Sequence, residues 1–171
     1  MQVLVTHRLF LDRLEYRDAE LILALRSDPL VNKFLDRTPT QTIDEAIDFI
    51  EKIKNGYSSK EFFYWVIRNE KNGPLLGTIG LRNFSEDGKS AELGYEMRPL
   101  FQGKGYMIEA VKTILHYAFE EISLKKITAS THKENEGSSR LLLKAGFKGL
   151  FDLPTDTLSE EIFFIRENPS L

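Results

Sequence analysis

Apolar residues recur along this chain with two different periods, which separate predicted strands from predicted helices. Between residues 91 and 97 they occupy every second position, the pattern of a strand with one buried face. Between residues 104 and 120 they recur three and four positions apart, as in a helix with one buried face. The same criteria predict other strands near residues 8–14, 62–68, 75–82, 126–131, 147–151 and 161–166, and other helices at residues 18–25, after Thr42 and near 138–144.

Capping and turn residues set several of these boundaries. Asp18 is predicted to cap the first helix and Pro29 to stop it. Thr42, with Glu45 three residues later, forms a predicted capping box at the start of the next helix. Gly146 is expected to end the last helix. Strands and helices mixed in this order predict an α/β or α+β fold, in which helices cover a central sheet.

Composition limits the classes of protein without naming a function. At 171 residues the chain is expected to form one domain over residues 1–171. A net charge of −3 and the lack of a long basic run argue against a nucleic-acid partner. The chain has no cysteine, which excludes disulfides, thiolate nucleophiles and cysteine metal sites. No apolar run approaches the ~20 residues of a membrane helix, and residues 1–5 do not resemble a signal peptide. We therefore expect a cytoplasmic protein without a membrane partner.

A glycine loop joins the strand at residues 91–97 to the helix that follows it. The loop reads Gln102-Gly103-Lys104-Gly105-Tyr106. Glycine lets a backbone come close to a bulky anion, and a helix N-terminus offers N–H groups and the positive end of its dipole. The loop therefore predicts a ligand that carries phosphate, although two glycines before a helix also mark ordinary tight turns. It lacks the ending of a P-loop and the third glycine of a dinucleotide-binding fingerprint.

A second segment, residues 135–147, sharpens this prediction. It begins with Asn135, has Ser138 three residues later and ends in Gly-Phe. Together the two segments resemble the GNAT N-acetyltransferases, which bind acetyl-coenzyme A (acetyl-CoA). The family pattern in the loop is Gln or Arg, two residues, Gly, one residue, then Gly or Ala, and here Met107 stands in the last position. The Asn135-x-x-Ser138 element and residues 6–11 are similar to the branch that acetylates ribosomal-protein N-termini. The resemblance covers about residues 6–165.

The resemblance implies a mixed, mostly antiparallel central sheet of about seven strands, flanked by about four helices. Its fourth and fifth strands would be parallel and would splay apart to admit the pantetheine arm of acetyl-CoA, a co-substrate used without a metal. The implied cofactor-binding residues are Met97, Gln102, Gly103, Lys104, Gly105, Tyr106, Met107, Asn135 and Ser138. The loop would hold the pyrophosphate, a backbone N–H near Met97 would polarise the thioester carbonyl, and Asn135 would contact the cofactor arm. Asparagine is also a common turn residue, which is the alternative interpretation of Asn135.

Two residues are predicted to carry the acid–base chemistry of acetyl transfer. Glu92 lies on the strand expected to line the cleft and is the candidate base, acting directly or through a water; the alternative is a solvent-facing strand residue. Many GNAT enzymes have a tyrosine where this chain has Leu142, so Ser138 is the hydroxyl that remains to protonate the thiolate, and it can also cap a helix. His132 and Glu134 are weaker candidates for the base. Because cysteine and a serine–histidine–acid arrangement are missing, we expect direct transfer in a ternary complex.

The kind of acceptor amine can be weighed by its pKa. An α-amine with a pKa of about 7.7–8.0 is ~10–20% neutral at pH 7, whereas a lysine amine near 10.4 is neutral in about one molecule in 2,500. A site without an obvious strong base therefore favours a protein N-terminus. A small-molecule amine (a polyamine or an amino sugar) and a non-catalytic acyl-CoA sensor are the alternatives, and either a monomer or a homodimer is compatible with the sequence. Residues 34–37 are expected to help choose the substrate, while the aromatic run at 62–65 is interpreted as a half-buried strand rather than a pocket.

Overall fold

The computed structural model of the chain describes residues 2–59, 61–150 and 160–170. Within them, eight strands form one sheet: β1 (Leu4–Val5), β2 (Phe10–Arg13), β3 (Phe63–Arg68), β4 (Gly77–Arg82), β5 (Ser90–Met97), β6 (Lys126–His132), β7 (Lys148–Gly149) and β8 (Glu161–Glu167). The helices are α1 (Ala19–Ser27), α2 (Pro29–Asn32), α3 (Ile43–Ser58), α4 (Tyr106–His116) and α5 (Glu136–Lys144). The spatial order of the strands is β1-β2-β3-β4-β5-β6-β8-β7.

Neighbouring strands run antiparallel except β5 and β6, which are parallel. The predicted fold class, a mixed and mostly antiparallel sheet with flanking helices, is confirmed. The two-residue strand β1 was not expected; it pairs Leu4 with Leu11 at one edge of the sheet.

The parallel pair separates after a short paired stretch. Ser90, Ala91 and Glu92 of β5 face Lys126, Ile127 and Thr128 of β6. Beyond these positions β5 continues to Met97 and β6 to His132, and in the described chain the two strands do not pair there. Each remains paired on its other side, β5 with β4 and β6 with β8. A gap therefore opens inside the sheet at the C-terminal ends of both strands, which is the splay that the resemblance implied.

Helices cover the two faces of the sheet. Alternate residues of a strand point to opposite faces, and β3 shows the consequence. Trp65 and Ile67 belong to the core that contains the apolar face of α4, whereas Val66 packs with Ile22 of α1 and Ile50 of α3. Among the described residues no helix is both long and apolar enough to span a membrane.

Of the two boundary predictions near α1, one is wrong and the other is confirmed with an addition. The carboxylate of Asp18 does not cap α1; it accepts the N–H of Glu15 at 3.0 Å and pairs with the buried Arg68 at 2.6 Å. Pro29 ends α1 as expected, but it also begins α2, where the side chain of Asp28 is the N-cap. Proline fits this first helical position because its missing N–H would have no partner there.

Other boundaries differ in detail from the prediction. The Thr42 hydroxyl accepts the N–H of Glu45 at 3.2 Å, but the Glu45 carboxylate accepts the N–H of Gln41 rather than that of Thr42. The helix predicted to reach residue 120 is α-helical only to His116 and continues as one π-helical turn, Tyr117–Glu121. The strand predicted at 147–151 is β7, two residues long, and residue 151 lies outside the described chain.

Candidate active site

The loop after β5 has the backbone of an anion-binding turn. Gly103 (φ +72°) and Gly105 (φ +78°) adopt the left-handed conformation that favours glycine. Gly105 is the N-cap of α4, and no side chain of the described residues caps this helix. Over the same residues, no backbone N–H from Gly103 to Met107 reaches a backbone acceptor outside α4. The loop thus offers free donors at the positive end of a helix dipole.

The Arg8 side chain binds this loop and so connects it to the N-terminal segment of the chain. Its Nη1 and Nη2 donate to the carbonyl oxygens of Lys104 and Gly105, each at 3.1 Å, and its Nε donates to Glu109 at 2.7 Å. The Thr6 hydroxyl also donates to Glu109. Burial alone would raise the pKa of Glu109, but the hydrogen bonds from Thr6 and Arg8 outweigh it and hold that pKa below its ordinary value. Because a peptide N–H points opposite to its C=O, the two bound carbonyls turn the N–H groups that follow them away from Arg8.

Sequence reasoning missed this role of Arg8. Residues 6–11 entered only as part of a resemblance, and no local pattern connects Arg8 with a loop 96 residues later. The ring of Tyr106 lies 4.9 Å from the Arg8 guanidinium, which adds a second contact between the loop and this side chain.

Three predicted side chains of the site have structural partners. The Gln102 amide donates to the carbonyl oxygen of Met97 at 2.9 Å and so ties the loop to the end of β5. The Lys104 ammonium lies 5.6 Å from the ring of Phe101. Met107 is 8% exposed and packs into the core beneath α4. In the position where the family has glycine or alanine, the Met107 side chain therefore packs mostly into the core.

The backbone of β5 presents alternate N–H groups to β4 and to the gap. Arg98 donates its N–H to the carbonyl oxygen of Leu76, on the β4 side, at 2.9 Å. Successive N–H groups along a strand point to opposite edges. The N–H of Met97 therefore points into the gap, as a donor to a thioester carbonyl there would need to.

A cavity of about 910 Å³ opens at the gap. Its lining combines β5, the glycine loop, the start of α5 and the segment between α1 and α3. The predicted site residues that line it are Glu92, Met97, Gln102, Gly103, Gly105, Tyr106, Met107, Asn135 and Ser138. Of the predicted set, Lys104 is not part of the lining.

The start of α5 brings two hydroxyl groups together. Asn135 is the N-cap, and its Oδ1 accepts the N–H of Ser138 at 3.1 Å, so the interpretation of Ser138 as the cap is wrong. The Ser138 hydroxyl lies 2.7 Å from the hydroxyl of Tyr95 on β5. Burial raises the pKa of Tyr95 to about 12, against the lowering effect of the bond to Ser138. The phenol therefore stays protonated at neutral pH. Sequence reasoning did not single out Tyr95, because its period-two position resembles an ordinary core residue.

Two carboxylates of β5 lie on the face opposite Tyr95, on either side of Gly94. Glu92 accepts bonds from Arg82 at 2.6 and 3.2 Å and from the Asn83 amide at 2.7 Å. Three donors leave about one of the four acceptor positions of a carboxylate free. A Cβ added at Gly94 would meet nothing within 4 Å, so the space above the strand is open at that point. The second carboxylate is Glu96.

Glu96 belongs to an ion-pair cluster that was not predicted. Arg37 donates to both of its carboxylate oxygens, at 2.5 and 2.9 Å, and Arg26 lies 3.7 Å from one of them. The Arg26 guanidinium lies 4.0 Å from the ring of Phe49, and its Nε donates to Thr40 at 3.2 Å. Burial, and then the charge of Arg37, lower the pKa of Arg26. Arg37 lines the cavity as the prediction for residues 34–37 required, but its partner 59 residues later had no local signal.

The remaining candidates take different positions. Of the aromatic run at 62–65, residues 63–65 lie in β3 as interpreted, with Trp65 fully buried, whereas Phe62 precedes the strand. Phe62 and Tyr64 also line the cavity. His132 stacks on Phe34 and accepts the N–H of Glu134, and neither His132 nor Glu134 lines the cavity. Within the described ranges, no cluster of histidine and acidic side chains could hold a metal ion.

Known proteins share both the sequence pattern and the fold. The family described as acetyltransferase (GNAT) domain matches residues 8–148. The uncharacterized N-acetyltransferase YoaA of Bacillus subtilis (strain 168) is 33% identical over 146 residues, which are 85% of this chain and 82% of that protein.

Two solved structures illustrate the likeness of fold. The microcin C7 self-immunity acetyltransferase MccE, in complex with acetyl-CoA and AMP, superposes with a TM-score of 0.82 at 18% identity, over 95% of this chain and 93% of that chain. RimL, a ribosomal L7/L12 α-N-protein acetyltransferase in complex with coenzyme A, superposes with a TM-score of 0.81 at 14% identity, over 97% of this chain and 98% of that chain. The family match, the relative and the shared fold agree with the glycine loop and the open strand pair: this chain belongs to the GNAT family and is an N-acetyltransferase.

Proposed function

We propose that this N-acetyltransferase moves the acetyl group of acetyl-CoA to a protein N-terminal α-amine, by direct attack in a ternary complex. The observation that carries the proposal is the gap between β5 and β6, whose unpaired β5 edge runs into the glycine loop. One continuous surface thereby offers backbone donors to the amides and to the phosphates of a single long ligand. Acetyl-CoA has this arrangement of amides, pyrophosphate and terminal thioester.

In the proposed complex the pyrophosphate is held by the free N–H groups from Gly103 to Met107. The pantetheine arm extends along the β5 edge into the gap, and Asn135 lies beside it at the start of α5. MccE and RimL were both solved with a coenzyme A ligand, which supports the same use of this fold here. No metal takes part in this proposal.

The chemistry needs one base, one oxyanion donor and one acid. The neutral amine attacks the thioester carbonyl carbon, and the N–H of Met97 stabilises the oxyanion that forms. Glu92 takes the proton released by the amine nitrogen, directly or through a water. As the tetrahedral intermediate collapses, the C–S bond breaks and the thiolate takes a proton through Ser138. Solvent returns a proton to Ser138 and accepts the one held by Glu92, so both side chains regain their starting state. The products are the acetylated amine and free CoA.

Glu92 and Glu96 lie on the face of β5 opposite Tyr95, which is called here the acceptor face. The α-amine is favoured because both carboxylates on this face are already ion-paired. Glu92 is bound by Arg82, and Glu96 is bound by Arg37. Most acceptor positions of these carboxylates are already taken by arginine and amide donors, so they suit an amine that is already partly neutral at pH 7 and needs little help to lose its proton. RimL, which is named as an α-N-protein acetyltransferase, supports the ability of this fold to admit a protein N-terminus.

An amine panel tests the proposal, with free CoA release as the rate and mass spectrometry to identify the product. The panel pairs peptides with free N-termini against the same peptides with blocked N-termini, and adds polyamines and aminoglycosides. We expect acetylation of free N-termini and none of the blocked peptides. Preferred turnover of a polyamine or an aminoglycoside would contradict the acceptor. Lack of CoA release with every amine would contradict the activity itself.

A further inference from the structure

Two arginines share one carboxylate on the side of the cavity formed by α1 and the segment between α1 and α3, called here the acceptor side because the acceptor is proposed to bind there. The side chains of Arg26, Arg37 and Glu96 are only 17%, 18% and 16% exposed. Two guanidinium groups around one carboxylate leave one positive charge without a partner in the group. An unbalanced charge that is largely removed from water is unfavourable unless a counter-ion neutralises it.

Of the two arginines, Arg26 is the one with hydrogen-bond donors that have no acceptor among the described residues. Arg37 occupies both oxygens of Glu96, and the separation of 3.7 Å between Arg26 and Glu96 is too long for a hydrogen bond. Within the described chain, the Nε of Arg26 donates to Thr40, and its two Nη groups make no hydrogen bond. Phe49 covers one face of the guanidinium, and Arg26 lines the cavity. A planar guanidinium with its Nη groups free is suited to bind a carboxylate or a phosphate.

The other charges nearby do not cancel this excess. Lys52, Asp36, Arg82 and Glu92 also line the cavity, and these two positive and two negative charges balance each other. The acceptor side therefore carries net positive charge in a chain whose net charge is −3. A local charge opposite in sign to that of the whole protein points to an anionic ligand at this position.

We propose that the acceptor carries an anionic group, a carboxylate or a phosphate, close to its reacting amine, and that Arg26 binds this group. The inference rests on the proposed function, since it names the substrate class of the same site. In a protein acceptor the group is an acidic side chain at the first or second residue. In a small-molecule acceptor it is a phosphate or carboxylate attached near the amine. The position of Arg26 beside Glu96, which precedes Met97 on β5, places the anion near the reacting carbonyl.

Calorimetric binding to the enzyme saturated with free CoA tests this directly, because it does not depend on turnover. One pair of probes is a peptide with a free N-terminus and Asp at its second position against the same peptide with Asn. The other pair is O-phosphoethanolamine against ethanolamine. In the unaltered enzyme we expect the anionic member of at least one pair to bind about 10-fold or more tightly, as a charge-assisted hydrogen bond would give. The pair that responds identifies the source of the anion.

Variants of two arginines test whether the preference for the anionic probe depends on Arg26. Arg26→Gln should reduce the preference to less than about 2-fold, and Arg26→Lys should keep part of it because the charge remains. Arg17→Gln is the control, since Arg17 is 54% exposed and does not line the cavity, and it should keep the full preference. A thermal unfolding curve for each variant shows that it is folded.

The outcomes separate this inference from the proposed function. Equal binding within both pairs, or binding by neither pair, would overturn the anionic acceptor. So would a preference that survives in Arg26→Gln. Efficient acetylation of the neutral peptide without any anion preference would leave the N-terminal activity standing and remove this inference. An anion preference in the unaltered enzyme, without acetylation of any peptide, would contradict the N-terminal activity and leave the anion site at Arg26 standing.

Discussion

The hydroxyl oxygens of Tyr95 and Ser138 lie 2.7 Å apart, although the two residues are 43 positions apart in the chain. Tyr95 belongs to β5 and Ser138 to α5, so the pair joins two elements that border the cofactor gap. Leu142, which stands where many GNAT enzymes have a tyrosine, is completely buried. The Ser138 hydroxyl is therefore the candidate to interact with the departing thiolate, and Tyr95 is the residue that positions it.

Removing either hydroxyl should give the same modest loss. We expect Tyr95→Phe and Ser138→Ala each to lower kcat by up to about 10-fold, less than the ~10²–10⁴-fold usual for acid–base groups, because solvent can protonate a thiolate with a pKa of ~8.5. The double variant should be no slower than the worse single variant, since both changes break one hydrogen-bonded unit. Steady-state kcat and the KM for acetyl-CoA measure this. Losses that multiply in the double variant would show that the two residues act separately.

The base assignment is tested by changing each carboxylate of the acceptor face in turn. Glu92→Gln should lower kcat by ~10²–10⁴ and flatten the acidic limb of the pH–rate profile, while acetyl-CoA affinity stays nearly unchanged. Glu96→Gln is the comparison: it leaves Arg37 and Arg26 without their anion, so it should alter acceptor KM and keep the acidic limb. If the acidic limb is lost in Glu96→Gln and kept in Glu92→Gln, the base is Glu96. If both variants keep wild-type turnover from about pH 6 to 9, neither carboxylate is the base, and Glu134, His132 and bulk water are the next candidates.

The role of the glycine loop in acetyl-CoA binding can be tested against a control variant that introduces similar backbone strain elsewhere in the chain. Gly105→Val forces a β-branched residue into a left-handed conformation, and its Cβ would lie 3.3 Å from Nη2 of Arg8. We expect acetyl-CoA affinity to fall at least tenfold, about 1.4 kcal/mol. Gly88→Val introduces similar strain (φ +64°) in open space at the turn before β5, so it should lower stability and leave affinity unchanged. Calorimetry that finds equal affinity in both variants would contradict the placement of the pyrophosphate.

The link between Arg8 and Glu109 predicts a pH-dependent contribution to stability. The pKa of Glu109 is lower in the folded protein than its ordinary value of 4.5, so the folded state binds fewer protons at this group. The contribution is therefore fully present above about pH 4.5 and is lost as the pH falls through the lowered value. Glu109→Gln should destabilise by about 1 kcal/mol at pH 7, since the Arg8 side chain is 42% exposed and water weakens the pair.

Thermal unfolding at two pH values measures this contribution. The Tm of Glu109→Gln should be lower than that of the unaltered protein by roughly 2–4 °C at pH 7. The difference should shrink in acid, below the lowered pKa. A difference that stays constant down to pH 3 would show that packing, rather than charge, accounts for it.

The fold could be predicted where a local pattern determines it. The period of two at residues 91–97 and the helical period after residue 104 correspond to β5 and α4. Strand β1 was missed because two residues are too few to show a period. Helix α2 was missed because proline marks both the end of one helix and the start of the next, and only the position of the Asp28 side chain distinguishes them.

The site could be predicted where the backbone makes it and less well where side chains do. Gly103 and Gly105 have a conformation that glycine itself favours, so they could be recognised in the sequence. Arg8 at the loop and Arg37 at Glu96 depend on elements that meet only after packing. Tyr95 was overlooked because its spacing fits a core strand, and only the fold shows that Ser138 is beside it.

The divergence of β5 and β6 also determines which molecules can reach the unpaired edges of these two strands. An unpaired strand edge is a template on which a strand of another molecule can add. Here the long unpaired edges are interior, because β4 and β8 occupy their outer sides and block a side-on approach by a folded protein. The terminal strands of the described sheet are β1 and β7, each two residues long, and β7 pairs with only Phe164 and Ile165 of the seven-residue β8. Within the described sheet, the main-chain donors of the gap are thus open to a slender molecule entering end-on and shielded from a strand that adds from the side.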